Sequence, residues 1–238
     1  MNEPDATRVL EDLARVAALV QDHIGDLVTE QMGSWADRGG DPSVVTALQT
    51  YRDMALSPGK RLRPAFAYWA YEGLGGNPDD PAILDAAVAV ELLHTFALIH
   101  DDVMDRAETR RGSRTIHETY ASHHRDQDLR GEADHYGNSI AILMGDLAFA
   151  HAALLMTRVP GECAAIFFSM CADLMVGQYL DIDASAHGPR PDREVANQIT
   201  ELKTARYTVE GPLLLGAAAV GRAEELRPHI EAYGRPLG

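Results

Sequence analysis

The sequence predicts an all-helical domain. Three observations point there: apolar residues recur at helical spacing over long stretches, the breaks between those stretches are short and rich in Gly and Pro, and strand signals are sparse. With 238 residues, 46% of them hydrophobic, the chain can bury one sizeable core, so residues 1–238 read as a single domain. No repeat or low-complexity tract interrupts it.

Residues 7–31 carry the spacing of a first amphipathic helix, and a second begins after the Trp35 to Pro42 segment and ends near Ser57-Pro58-Gly59. Arg63-Pro64 opens the third. Proline suits a first-turn position because its missing N–H has no intrahelical partner there, and residues 65–74 then run to a Gly75-Gly76 stop. Residues 83–104 form the most apolar helix; its centre, 86–93, is apolar nearly all round and predicts a path through the core. From 112 to 137 the chain turns polar, with clustered His and Asp, and predicts a long mobile loop with room for one short helix. Further helices are expected over 138–157, 162–183, 193–209 and 212–220, each with small residues that permit close packing.

Charge and cysteine content narrow the function classes. A formal net charge of −15 repels the phosphate backbone, which argues against nucleic-acid binding. Cys163 and Cys171 lie in an apolar stretch without metal-ligand spacing, so buried free thiols in a reducing, cytoplasmic compartment are expected. The N-terminus, Met1-Asn2-Glu3-Pro4-Asp5, lacks the basic flank and apolar core of a signal peptide. No unbroken run of about 18 apolar residues occurs, so no transmembrane segment is expected.

Two constellations carry chemistry. The first is Asp101-Asp102-Val103-Met104-Asp105, at the end of the most apolar helix. Asp101 and Asp105 fall within about 20° of His94 around a helix, so the three share a stripe. Carboxylates crowded at the mouth of an apolar helix repel one another and lose hydration, which calls for a cation, and hard oxygen ligands suit Mg²⁺; Asp101, Asp102 and Asp105 are the candidate metal ligands. Arg106, Arg110 and Arg111 follow. They either pair with the acids, as Asp102 with Arg106 four apart, or share a phosphate with a metal held by them. The second constellation is Gly59-Lys60-Arg61-Leu62-Arg63-Pro64, a basic turn in an acidic chain. Three cations at a helix N-terminus, joined by free backbone N–H groups, make an anion site suited to a second phosphate group.

Together with His94 and Arg110-Arg111-Gly112, these motifs resemble the trans-isoprenyl diphosphate synthases, the polyprenyl synthetase family. Ile142-Leu143-Met144-Gly145-Asp146, Gly177-Gln178-Tyr179-Leu180-Asp181 and Lys203-Thr204-Ala205 extend the likeness from about residue 50 to the last residue. The resemblance implies the isoprenoid synthase fold, a helical bundle around a central cavity, acting as a homodimer. It implies that Gly59, Lys60, Arg63, His94 and Arg111 hold isopentenyl diphosphate, and that Asp101 and Asp105 bind Mg²⁺ gripping an allylic diphosphate. Arg110, Lys203 and Thr204 would hold that allylic substrate, with Gln178 near its tail and Asp181 in a metal's outer shell or orienting Lys203. Asp101, Asp105, Arg110 and Lys203 are thus the implied catalytic set. Leu93, Phe96, Met144 and Met175 are candidates to line an apolar tunnel.

The implied reaction ionises the allylic carbon–oxygen bond, which requires stabilising the departing diphosphate more than the ground state. The double bond of isopentenyl diphosphate then attacks the cation, and no covalent enzyme intermediate is needed. Phe96 and Ala97, five and four residues before Asp101, resemble the chain-length positions of geranylgeranyl diphosphate synthases and imply a C20 product. Three competing readings are a His-Asp phosphohydrolase built on His100-Asp101, a silent or regulatory subunit of a heteromeric prenyltransferase, and a terpene cyclase. The first lacks evident further histidines, intact Asp101, Asp105 and Arg110 oppose the second, and the basic turn opposes the third.

Members of the family carry a second aspartate-rich motif on a later helix. Residues 233–238 resemble the segment just before it, and Asp181 and Asp183, about 160° apart on a helix, do not replace it. The expectation is a chain that lacks the C-terminal helices, truncated or partly observed, and weakly active or inactive alone.

Overall fold

The computed structural model describes residues 6–188 and 193–237. Among them the order is α1 (Ala6–Asp37), α2 (Pro42–Ala55), α3 (Leu62–Gly73), α4 (Pro81–Met104), β1 (Thr109–Arg110), β2 (Ser113–Arg114), α5 (Ile116–Asp126), α6 (Ala133–Met156), α7 (Gly161–His187), α8 (Arg193–Thr200), a π-helix (Glu201–Glu210), α9 (Gly211–Ala219) and α10 (Ala223–Leu237). The all-α class stands.

The chain divides into two compact units, each discontinuous in sequence. The first comprises Met1–Val20, Lys60–Val90 and Leu154–Gly238. Its core gathers Val16, Ala65, Ala67, Tyr68, residues 86–90, Phe167 and Leu215, all nearly or fully buried. Gly216 of α9 lets that helix lie directly on α3, since a Cβ there would collide with the Ala67 carbonyl. The Cys163 Sγ sits 3.8 Å from the Leu215 carbonyl, and Trp69 of α3 donates to Asp12 of α1 at 2.5 Å.

The second unit comprises Gln21–Gly59 and Glu91–Ala153. Ile24, Val28, Tyr51, Leu92, Leu93 and Ala148 are buried in it, and the Tyr51 hydroxyl meets His151 Nδ1 at 3.1 Å. A smaller cluster of Ile99, Ile116 and Ala141, with Met54, Val103, Tyr120 and Met144 packed against it, fixes the end of α4 against α5 and α6.

Several expected elements are corrected. Residues 112–137 hold the one short helix the expectation allowed, the eleven-residue α5, but not the long loop around it, since the end of a two-residue hairpin and the first turn of α6 fall there too. The expected helix over 193–209 is instead α8 followed by a π-helix, and α10 occupies a stretch for which no helix was expected, Pro228 and Pro236 included. The first helix runs six residues past its expected end at Gln31, to Asp37. The membrane expectation rested on unbroken apolar runs. By length and composition α4, α6 and α7 are long and apolar enough to cross a membrane, with mean hydropathies of 1.9, 1.8 and 1.5. Single polar residues such as Glu91 break an apolar run without much lowering its mean, so counting unbroken runs understated these helices.

Candidate active site

The acidic motif closes α4. The Asp105 N–H donates to the Asp101 carbonyl at 2.8 Å, so the backbone keeps one more helical turn and sets residues 101 and 105 one turn apart. Asp105 is exposed and Asp101 half-buried. Asp102 differs from both. Its side chain is 4% exposed, and Oδ1 accepts from Arg110 Nε at 2.6 Å. Burial raises its carboxyl above the ordinary range, opposed by the hydrogen bond and charge of Arg110. Of the pairings left open, Asp102 takes Arg110 rather than Arg106, and the carboxylate nominated as a third metal ligand is committed to a guanidinium.

A tight hairpin explains the exchange. Arg111 and Gly112 have φ of 53° and 83°, the pair of positive values that a two-residue turn between β1 and β2 requires. Glycine adopts this freely. The turn folds the chain back so that Arg110 reaches Asp102, while Arg111 Nη1 donates to the Pro58 carbonyl at 2.5 Å and lies 3.3 Å from Ser57 Oγ. Thr115 Oγ1 donates to the Ala107 carbonyl at 2.8 Å and closes the base of the hairpin. An Arg-Gly pair in a polar stretch was the available signal for this turn.

Elsewhere in the second unit, His94 and Ala97 are half-buried on α4, and Gly59 is exposed. The Phe96 ring packs against His100 at 4.5 Å and Phe149 at 5.4 Å between centroids. Gly145 of α6 makes room for His100, whose Nε2 donates to the Ile142 carbonyl at 3.1 Å with Asp146 at 3.6 Å. The phosphohydrolase reading needs further ligands around His100, and among the described residues no three His, Cys, Asp or Glu are arranged to hold an ion. Leu93 is fully buried and Met144 belongs to the cluster around Ile99.

In the first unit, the basic turn precedes α3. Arg61 takes the left-handed conformation at the N-cap, with φ 51°, and no side chain caps the helix there. Lys60 is exposed, Arg61 buried and Arg63 half-buried. The Arg63 guanidinium lies over the Tyr207 ring, 4.5 Å from its centroid. Lys203 and Thr204 stand on the π-helix, and Lys203 Nζ donates to Asp181 of α7 at 2.8 Å. Gly177 permits this close approach, because a Cβ there would press on the Lys203 amide. Gln178 is half-buried beside it on α7, while Met175, a tunnel candidate, is 46% exposed. A cavity of about 350 Å³ in the same unit, lined by Asp173, Arg206, Glu210 and Arg235 among others, involves none of the nominated residues.

The fit to a metal can be tested on these groups. Among the described residues no three His, Cys, Asp or Glu are arranged to hold an ion. With Asp102 taken by Arg110, two carboxylates remain at the end of α4. Such a set suits Mg²⁺, which keeps waters and completes its shell with substrate phosphates, and does not suit ions that need a full protein cage.

Comparison with known proteins places these features. Residues 45–238 match the polyprenyl synthetase family. A geranylgeranyl diphosphate synthase of Methanosarcina mazei is 33% identical over 186 residues, 76% of this chain and 51% of that protein. A (2E,6E)-farnesyl diphosphate synthase of Mycobacterium tuberculosis is 30% identical over 232 residues, 95% of this chain and 55% of its own length. Among solved structures, the geranylgeranyl pyrophosphate synthase of Corynebacterium glutamicum, complexed with isoprenyl diphosphate and magnesium, superposes with a TM-score of 0.85 at 32% identity, covering 95% of this chain and 65% of that one. The chain spans about half the length of the curated relatives it matches.

Proposed function

Because the chain belongs to the polyprenyl synthetase family, we propose that it supplies the substrate-binding and ionising groups of a trans-prenyltransferase that joins isopentenyl diphosphate to an allylic diphosphate. The observation that carries this reading is the end of α4: Asp101 and Asp105 one turn apart, with Arg110 fixed beside them on the buried Asp102. In this reading Asp101 and Asp105 hold Mg²⁺, which when bound neutralises charge on the allylic diphosphate as its carbon–oxygen bond breaks. Asp102 aims Arg110. Its guanidinium takes diphosphate oxygens through its remaining N–H groups. On the first unit Lys203, oriented by Asp181, and Thr204 offer a further group for a diphosphate.

On the first unit Lys60 and Arg63 bind isopentenyl diphosphate, the substrate for which the family resemblance also nominates His94 and Arg111 of the second. Arg111, anchored on the Pro58 carbonyl, and Arg63, stacked on Tyr207, are held before substrate arrives, which lowers the ordering cost of binding. Water exclusion falls to apolar neighbours such as Phe96, and Ala97 leaves room for a C20 tail. The M. mazei and C. glutamicum relatives support this length, while the mycobacterial farnesyl synthase is the shorter alternative. A homodimer belongs to the proposal, supported by Ile142 and Leu143 of α6, 44% and 56% exposed, which offer apolar surface for a second subunit. So does a cytoplasmic location, supported by two buried free thiols.

The test is incubation with radiolabelled isopentenyl diphosphate, Mg²⁺ and each allylic diphosphate in turn, followed by chromatography of the dephosphorylated products. Labelled C15 or C20 alcohols, absent without the metal, are expected. Release of inorganic phosphate without carbon–carbon bond formation would overturn the proposal.

A further inference from the structure

We infer that Tyr207 is the positioning residue for Arg63, an inference that rests on reading the 59–64 turn as the isopentenyl diphosphate site. Several other arginines of this acidic chain are held by carboxylates, such as Arg110 by Asp102, Arg206 by Asp173 and Glu201, and Arg235 by Glu210 and Glu231. Arg63 is held otherwise. Its Nε is buried without a hydrogen-bond partner, and its guanidinium rests on the face of the Tyr207 ring at 4.5 Å.

The two kinds of support differ in consequence. A carboxylate fixes a guanidinium but neutralises it and occupies the N–H edge that would receive a diphosphate. An aromatic face attracts the cation through its quadrupole, takes up no N–H, and leaves the positive charge in place. The ring can do this because it is itself fixed: Tyr207 is 3% exposed. It stands on the π-helix four residues after Lys203, just under one turn in an i→i+5 helix, so one element fixes both Arg63 and the lysine held by Asp181. A leucine or methionine at 207 would fill the space without the quadrupole.

The test is calorimetric titration of isopentenyl diphosphate into the 238-residue chain, which requires no turnover. Relative to wild type, Tyr207→Phe should leave Kd within about twofold, whereas Tyr207→Met should weaken it roughly 5- to 30-fold. In an Arg63→Ala background, Tyr207→Met should add no further loss. Replacing Tyr207 by phenylalanines of increasing fluorination keeps the ring's shape and drains its quadrupole, so Kd should rise with each step even if Tyr207→Met does not fold. A Kd flat across the fluorinated series, or unchanged in folded Tyr207→Met, while Arg63→Ala weakens binding, overturns the role of Tyr207 alone. Arg63→Ala binding as tightly as wild type overturns the reading of the basic turn, and the inference with it.

Discussion

At the scale of single residues, the proposed function gives the three acids of the 101–105 motif separate work. Asp101→Asn or Asp105→Asn should slow turnover by at least about 100-fold, a barrier increase of roughly 2.7 kcal/mol, because each removes a charge from the pair proposed to hold the metal. Asp102→Asn should also slow it, but in an Arg110→Ala background it should add little, since its effect passes through that guanidinium. Steady-state rates of the single and double variants decide this, and additive losses would return Asp102 to the metal. The thiols give a second check. Burial pushes Cys163 up to about 11 and Cys171 up to about 12 from an ordinary 9.0. Between pH 9 and 11 the unfolded chain releases thiol protons that the folded chain keeps, so the unfolded state binds fewer protons and stability falls as pH rises. The slope approaches about 1.4 kcal/mol per pH unit for each thiol. Urea unfolding at pH 8 and pH 10 should show a shallower decline in Cys171→Ala than in wild type. The residue types of the site were legible from sequence, since acids ending an apolar helix and cations opening another are written in its order. Their pairings were not: spacing offered Arg106 to Asp102 as one alternative, and a two-residue turn at Arg111-Gly112 brings Arg110 there instead.

Elements were legible where an apolar stripe or an all-apolar centre is long, as in α1, α4, α6 and α7. The sequence of α5, Ile116–Asp126, is mostly polar, so no periodic signal marks it, and its helix is secured by tertiary contacts at Ile116 and Ala121. The π-helix was illegible for a different reason. Its side chains obey no period that separates it from an α-helix, and its register is fixed by packing, with Gly177 admitting the backbone at Lys203. Helix contact of the same kind makes Gly145 testable. A side chain there enters the space of the His100 ring, which is tied to Ile142 and stacked on Phe96. Gly145→Val should therefore destabilise the protein by about 1–3 kcal/mol, read as a lower urea midpoint at unchanged slope. Gly33, whose Cβ position meets nothing within 4 Å, is the control, and Gly33→Ala should not lower the midpoint. Equal midpoints for Gly145→Val and wild type would show that α6 does not need this close approach.

For the whole molecule, the likeness read from residue 50 onward coincides closely with the family match over 45–238, because the motifs that carry it are short, polar and fixed in spacing. The division into two compact units was not legible, since each unit collects segments far apart in sequence. Product length is a property of the molecule as a whole, yet it yields to one position. Ala97 lies four residues before Asp101 on α4, about 6 Å deeper along the helix, and it is half-buried beside a Phe96 ring already committed to His100 and Phe149. A prenyl tail whose diphosphate is held at Asp101 and Asp105 and which descends along α4 passes the methyl group of Ala97 without obstruction. A benzyl group at that point closes the path one turn below the ionising carbon, so Ala97→Phe should move the main product from the proposed C20 toward C15 while leaving the proposed dependence on Mg²⁺ intact. Reversed-phase separation of the dephosphorylated products gives the distribution directly. An unchanged C20 peak from an Ala97→Phe variant of wild-type stability would mean that the tail runs along another helix, and the chain-length role of Phe96 and Ala97 would fall with it.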